Sequence, residues 1–336
     1  MYKVRDFIET REGLLFSVLA YSHPPFGVLS DPRAYTNQRG RRKFDSSKDA
    51  LRFIEEHYPY YLSRVPSLDT HLCVVPAHSI RRHYSPRRFL ATTLQTGRPK
   101  IVAKLARAVS SLSGVAIENL GVTGSYLVGA QDASSDIDIV VYGLKNYSLA
   151  RRGIERGLEE GIFQALSEGD WLAIYRKRGI DPSFYSFPEF LRHEIRKHNR
   201  AKFAGKLFDI LSCRADSEVS GVFGQTSFRR LGKATVKCRV IDAHLSGDFP
   251  ATYAVRGRAL GREIRAVVSF THTYVDQVIE GEVALCRGIL EKVSGETEYY
   301  RLLVGSTREA PNQFIKSLSL VDAASSSTAQ GDCVNL

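Results

Sequence analysis

Apolar and polar positions along this 336-residue chain fall into two textures. Through the first two thirds, β-rich runs alternate with helical stripes; from about Ser217 onward, short alternating runs follow one another. VRDFIET and GLLFSVLAYSH, joined by a short REG turn and closed by Pro24-Pro25, predict a β-hairpin within residues 1–35. Ser46 or Ser47 is placed to cap a helix whose apolar face is Leu51, Ile54, Tyr58 and Leu62. Thr70 to Val75 predicts a short strand. After Gly97-Arg98-Pro99, Ile101, Leu105, Ala108, Val109 and Leu112 recur at helical spacing, with Lys100, Lys104 and Arg107 on the polar side and Gly114 as the stop. A strand over Asn119–Thr123 follows. A helix is expected from Ser148 to about Glu168, with Ala150, Ile154, Leu158, Ile162 and Leu166 as its buried stripe.

Further along, Ser186 with Glu189 three residues on is a capping-box pattern opening a helix over residues 186–202. On that helix Arg192, Arg196 and Arg200 fall at i, i+4 and i+8, a guanidinium stripe that either meets an anion or stays solvated. Gly205 introduces KLFDILSCR, a strand in which Asp209 stands among apolar neighbours and calls for a partner or a cation. In ATVKCRVIDAHL, Ala234, Val236, Cys238 and Val240 alternate with Thr235, Lys237 and Arg239. Four more such runs with Gly-containing turns follow, predicting a small closed barrel or sandwich of the oligonucleotide-binding type. The closing SSSTAQGDCVNL is low in complexity and expected to be disordered.

Charge changes this picture in one respect. The net +11 is concentrated early: residues 1–98 hold 16 Lys/Arg against 9 Asp/Glu. NQRGRRKF (residues 37–44) reads as an exposed loop and RRHYSPRR (81–88) as a Pro-broken linker; each is a phosphate-contacting segment or a solvated charge run. A basic excess favours an anionic partner such as nucleic acid or nucleotide. No apolar run reaches the ~18 residues of a membrane span, and MYKVRD lacks a signal-peptide core. The five scattered cysteines argue against a disulfide framework or a CxxC zinc site, so a reducing cytoplasm is expected.

The chemistry concentrates between Gly121 and Gly143, GVTGSYLVGAQDASSDIDIVVYG. Period-two geometry puts Asp136 and Asp138 on one strand face and Ile137 and Ile139 on the other. Two carboxylates held so close are costly without neutralising cations, which points to a divalent-metal site. Thr123-Gly124-Ser125, ten intervening residues, and Asp136-Ile137-Asp138-Ile139 together resemble the signature of the polymerase-β-like nucleotidyltransferase superfamily, in its minimal branch. The likeness covers Lys100 to Arg214, and the whole chain looks like uncharacterised nucleotidyltransferase-domain proteins of archaea.

That resemblance implies an α+β fold with a mixed-sheet core. Residues 99–216 would form the nucleotidyltransferase domain, 1–98 a basic N-terminal α+β region, 217–318 a barrel-like β domain and 319–336 a tail. It implies two Mg²⁺ ions on Asp136, Asp138 and a third carboxylate, for which Asp209 is the candidate and Asp170 the alternative. Gly124 and Ser125 would cradle the phosphates of an NTP, with Arg196 and Arg200 facing triphosphate or acceptor. The implied reaction moves an NMP from the NTP (ATP or another) to an acceptor hydroxyl, releasing pyrophosphate. RNA is the favoured acceptor. A protein or small-molecule acceptor, or a non-catalytic RNA-binding module with a vestigial core, are the competing readings.

Overall fold

The computed structural model describes residues 2–37, 40–305, 310 and 312–320. The chain is α+β, and its contacts divide it into two compact units. The first holds Met1–Leu166 and His198–Ser227; the second holds Ser167–Lys197 and the chain from Phe228 onward. Two features differ from the division expected above. Residues 1–98 share a unit with the Gly-Ser and Asp-x-Asp segment, and 167–197 go with the C-terminal strands.

In the first unit, β1 (Phe7–Thr10) and β2 (Leu14–Val18) form the expected hairpin. β3 (Val28–Asn37) pairs with β2 and with β4 (Gly40–Lys43), so the described part of NQRGRRKF belongs to a hairpin rather than a loop. The reason is cross-strand register: Tyr35 stands opposite Arg42 and Thr36 opposite Arg41, which gives the basic run a ladder to join. α1 (Ser47–His57) follows, capped by Ser46, whose hydroxyl accepts from the Asp49 amide at 3.0 Å. β5 (Leu62–Val65), β6 (Thr70–Val75) and β7 (Ile80–Tyr84) complete a seven-stranded sheet ordered β5-β6-β3-β2-β1-β7, with β4 on β3. RRHYSPRR is therefore no linker. Its first half is an edge strand, and Pro86 then takes the first turn of α2 (Pro86–Thr96), where a missing N–H costs nothing. One sheet face buries Ile8, Phe16 and Val18 with Ile54 of α1. Each such side chain contributes roughly 1.5–3 kcal/mol.

α3 (Lys100–Ser113) ends at Gly114 and buries Leu105, Val109 and Leu112 as predicted, but its buried face is rotated to take in Val102, Ala103 and Ala106 while Ile101 and Ala108 lie half-buried. Then come β8 (Leu120–Thr123), the short α4 (Gly124–Val128) and β9 (Ile137–Tyr142). α5 (Leu144–Glu159) starts and stops earlier than the stripe suggested. Glu218 accepts the Leu144 amide at 3.1 Å and anchors the start, while Gly161, at φ +71°, turns the chain out of the helix. Ile162 consequently lies exposed.

The second unit opens with α6 (Glu168–Lys177) and α7 (Phe187–Ile195). The Ser186–Glu189 capping box is present, but α7 stops at Ile195 and His198 adopts φ +47°. Arg196 caps the helix, whereas Arg200 opens β10 (Arg200–Phe203) in the first unit, so the guanidinium stripe does not exist. β11 (Lys206–Cys213) completes a four-stranded sheet ordered β10-β11-β9-β8.

The remaining strands are β12 (Ser227–Asp242), β13 (Ala251–Ala259), β14 (Arg262–Ser269), β15 (Val283–Ser294), β16 (Tyr299–Val304) and β17 (Phe314–Ser317). They pair in the order β12-β13-β14-β16-β15-β17, and β12 also pairs with β15, closing a five-strand path. The β14–β16 pair is parallel. Ala234, Val236, Cys238 and Val240 are buried as their alternation predicts. The SSSTAQGDCVNL segment lies outside the described residues. Among those described, no helix is long and apolar enough to cross a membrane.

Candidate active site

The four-stranded sheet brings the predicted carboxylates together through its register. β9 and β11 run parallel with Asp138 directly opposite Asp209, and β11 and β10 run antiparallel with Asp209 opposite Arg200. Asp136 precedes β9 by one residue. One oxygen each from Asp136, Asp138 and Asp209 lie within 4.8 Å of one another. Asp170, the other candidate, is remote in function: it is the N3 residue of the capping box on α6, accepting from the Ser167 amide at 2.8 Å.

The strand geometry is reinforced locally. Asp132 Oδ1 accepts from the Ser134 amide at 2.9 Å and the Ser135 hydroxyl at 3.1 Å, fixing the turn that delivers Asp136. Lys206 Nζ donates to the Ala133 carbonyl at 2.7 Å from β11, tying that turn to the strand bearing Asp209.

Gly124 explains why the motif needs glycine. Its φ is +68°, and a Cβ built there would lie 2.0 Å from Asp138 Oδ2. Any side chain would force Asp138 away. The neighbouring Ser125 Oγ is buried and has no hydrogen-bond partner among the described residues. A buried hydroxyl left unsatisfied costs about 1–3 kcal/mol, and it points to a ligand acceptor. Thr123, more polar than the motif usually has, is 4% exposed and donates its hydroxyl to the Arg5 carbonyl at 2.7 Å.

Electrostatically the cluster is short of positive charge. Burial, then the carboxylates of Asp136 and Asp209, push Asp138 up to about 7; Arg5 and Arg200 oppose the shift. Arg200 grips Asp209 with two nitrogens, Nε and Nη2, the latter at 2.5 Å. Arg196 instead donates to Glu282 at 2.6 Å and to the Gln277 carbonyl at 2.5 Å within the second unit. Both arginines expected on the nucleotide are thus engaged by protein groups.

Arg5 is the residue that sequence reasoning missed. It sits at φ +77° just before β1, and its Nε donates to the Ser212 carbonyl of β11 at 3.4 Å. Its charge is felt at Asp138 although 133 positions separate the two. The only local signal was its place in a hairpin already read as structural.

Three carboxylates meeting at a glycine-serine turn is an arrangement that known proteins can be compared with. A family model described as a nucleotidyltransferase domain matches residues 102–171. That span contains the Gly-Ser turn, Asp136 and Asp138, and stops short of Asp209. A Methanocaldococcus jannaschii protein named Uncharacterized protein MJ1086 is 33% identical over 338 residues, covering 94% of this chain and 98% of its own length. No solved structure matches the chain. With the motif, its geometry and a full-length relative in agreement, this chain belongs to the nucleotidyltransferase-domain family.

Proposed function

We propose that the chain is a Mg²⁺-dependent nucleotidyltransferase that moves an NMP from an NTP to an acceptor hydroxyl with release of pyrophosphate, and that the acceptor is RNA. The observation that carries the reading is the convergence of Asp136, Asp138 and Asp209 beside the unsatisfied Ser125 hydroxyl. Three hard oxygen donors suit Mg²⁺, and the surplus of negative charge is what a cation would relieve.

Asp136, Asp138 and Asp209 would hold the metal. When bound, the ions would supply charge neutralisation at the attacking and leaving oxygens. The chain's own residues do the rest. Gly124 keeps the space at Asp138 open, and Ser125 Oγ–H is free to donate to a phosphate oxygen. Arg200 orients Asp209 by its two-nitrogen grip, fixing one ligand before substrate arrives. Arg200, engaged with Asp209, supports the site rather than touches the nucleotide, and Arg196 is committed to Glu282 within the second unit. Asp138, its proton affinity raised to about 7 by burial and by Asp136 and Asp209, would serve as a metal ligand in its deprotonated form.

RNA as acceptor draws support from the basic excess and from the closed five-strand path, whose one parallel pair (β14 with β16) suits a barrel of the oligonucleotide-binding type. Labelled NTP should be incorporated into an RNA pool by the full chain, and Asp136→Asn or Asp138→Asn should abolish it. Labelling by those variants at the wild-type rate would dismiss the metal assignment. Incorporation into protein or a small molecule, with RNA unlabelled, would keep the chemistry and replace the acceptor.

A further inference from the structure

The outward positions of β12, β13 and β14 carry cations where a sheet ordinarily avoids them. Arg239 of β12 stands directly opposite Arg256 of β13, and both are exposed. Directly opposed like charges destabilise an antiparallel pair. Extending the same register by one residue sets Lys237 against Arg258, again both exposed. Lys233 continues the outward row on β12, and Arg265 stands outward on β14. Between these positions the side chains turn inward: Ala234, Val236, Cys238 and Val240 are buried.

Little in the protein answers this charge. Among the described residues the row's one ion pair is Arg265 with Glu263, at 3.9 Å. Glu263 also stands opposite Arg258 across β13 and β14. Arg239 and Arg258 reach only backbone carbonyls, of Gly281 and Gly261, each at 3.1 Å. Lysine and arginine on a solvent face usually find carboxylates at i±2 or across the ladder; here the ladder offers cations. The unit as a whole is nearly balanced, because residues 167–197 and 228–336 together hold 20 Lys/Arg and 17 Asp/Glu. The charge is sorted onto this face rather than abundant.

We infer that the outer face of β12–β13–β14 binds the phosphate backbone of a single-stranded RNA, and that this is how the second unit holds the acceptor of the proposed transfer. The inference rests on that functional reading for the identity of the strand. The geometry suits a flexible polyanion: alternate residues along a strand are about 6.8 Å apart and neighbouring strands about 4.8 Å, so cations recur in two directions over the outer surface. Such a surface follows a backbone without reading bases, so binding should be tolerant of sequence and steeply salt-dependent.

The test measures binding of a labelled single-stranded RNA, on the order of 20 nucleotides so that it can span a five-strand barrel, to the full chain over a range of salt. Arg239→Glu/Arg256→Glu should weaken binding about tenfold or more and lower the log–log salt slope by about 1.4, two contacts at ~0.7 each. Arg239→Gln/Arg256→Gln should lie between that variant and wild type. Lys104→Glu/Arg107→Glu, an equal charge change on the exposed side of α3, should have a much smaller effect. Equal losses from both reversals would reduce the surface to net charge and overturn the inference. So would wild-type binding by Arg239→Glu/Arg256→Glu, or arginine-dependent binding to phosphatidylserine vesicles with none to RNA. Metal-dependent NTP binding, measured on the same proteins, separates the two readings. A wild-type chain that binds RNA through these arginines but binds no NTP would leave the surface standing and end the transferase reading.

Discussion

Lys197 and Asp138 both place ionisable groups inside the protein, yet their surroundings differ in kind. Lys197 is fully buried in the second unit, donating to Glu194 at 2.5 Å and to the Thr273 carbonyl at 2.7 Å. Arg178 takes the other oxygen of Glu194 at 3.0 Å. Burial draws Lys197 down to about 8, and the Glu194 carboxylate stands between it and Arg178. In the first unit three carboxylates converge, Arg200 is spent on one of them, and a hydroxyl next door has no partner among the described residues. In the first cluster both cations share a carboxylate of the protein itself. The second is open, with its deficit all of one sign. Burial alone does not separate scaffold from site; the pairing of opposite charges in one and the crowding of like charges in the other do.

That contrast can be broken most visibly at the open cluster. Asp136→Asn and Asp138→Asn should each cost transfer activity at least the ~100-fold that loss of a mere supporting residue can cost a metal site, while the folded state survives. Initial rates and thermal melts on the same samples check it. The Lys197 cluster should respond the other way round. Glu194→Gln leaves Lys197 buried opposite a neutral amide and should destabilise by about 3–5 kcal/mol in urea titration, with NTP affinity of the folded protein unchanged.

A third cut uses pH. His193 is buried, its Nδ1 facing the Glu189 carbonyl at 2.6 Å while Nε2 accepts the Ser317 amide at 2.9 Å, and burial brings it down to about 4. The unfolded chain then binds more protons than the folded one between pH about 4 and 6.5, so stability should rise with pH across that window, by roughly 3 kcal/mol in all. In His193→Asn that part of the urea-midpoint profile should flatten.

The smallest expected effect is the most diagnostic in sign. Asp138 has its folded value raised, so the folded state binds more protons from about pH 4 to about 7 and stability should fall with pH there when metal is absent. Asp138→Asn removes the repulsion and should stabilise the metal-free chain at pH 8 by ~1–2 kcal/mol, where Glu194→Gln destabilises. Equal signs for the two variants would erase the distinction drawn above.

What could be read in advance follows how local the determinants are. Asp136 and Asp138 are two residues apart on one strand, so period-two geometry exposes their pairing, and the Gly-Ser turn lies close by in sequence. Asp209 was readable only as an odd carboxylate in an apolar run; what makes it a partner is parallel register with β9, set across 71 positions. Arg5 depends on still longer contacts and left no trace in spacing. The arginine periodicity at 192, 196 and 200 was real in sequence and misleading in space, because His198 enters a left-handed conformation that no helical stripe anticipates. β17 and α2 escaped for a similar reason: one is short, and the other begins at a proline that reads as a break.

The central claim is that the aspartate cluster is open because it takes cations together with a nucleoside triphosphate. Calorimetric titration of NTP into the full chain, with Mg²⁺ and again with EDTA, tests it most directly, with Asp136→Asn and Asp138→Asn in parallel. Binding is predicted with Mg²⁺ in the wild type alone, and none with EDTA or in either variant. Equal heats with and without Mg²⁺, or equal affinity in the variants, would contradict it.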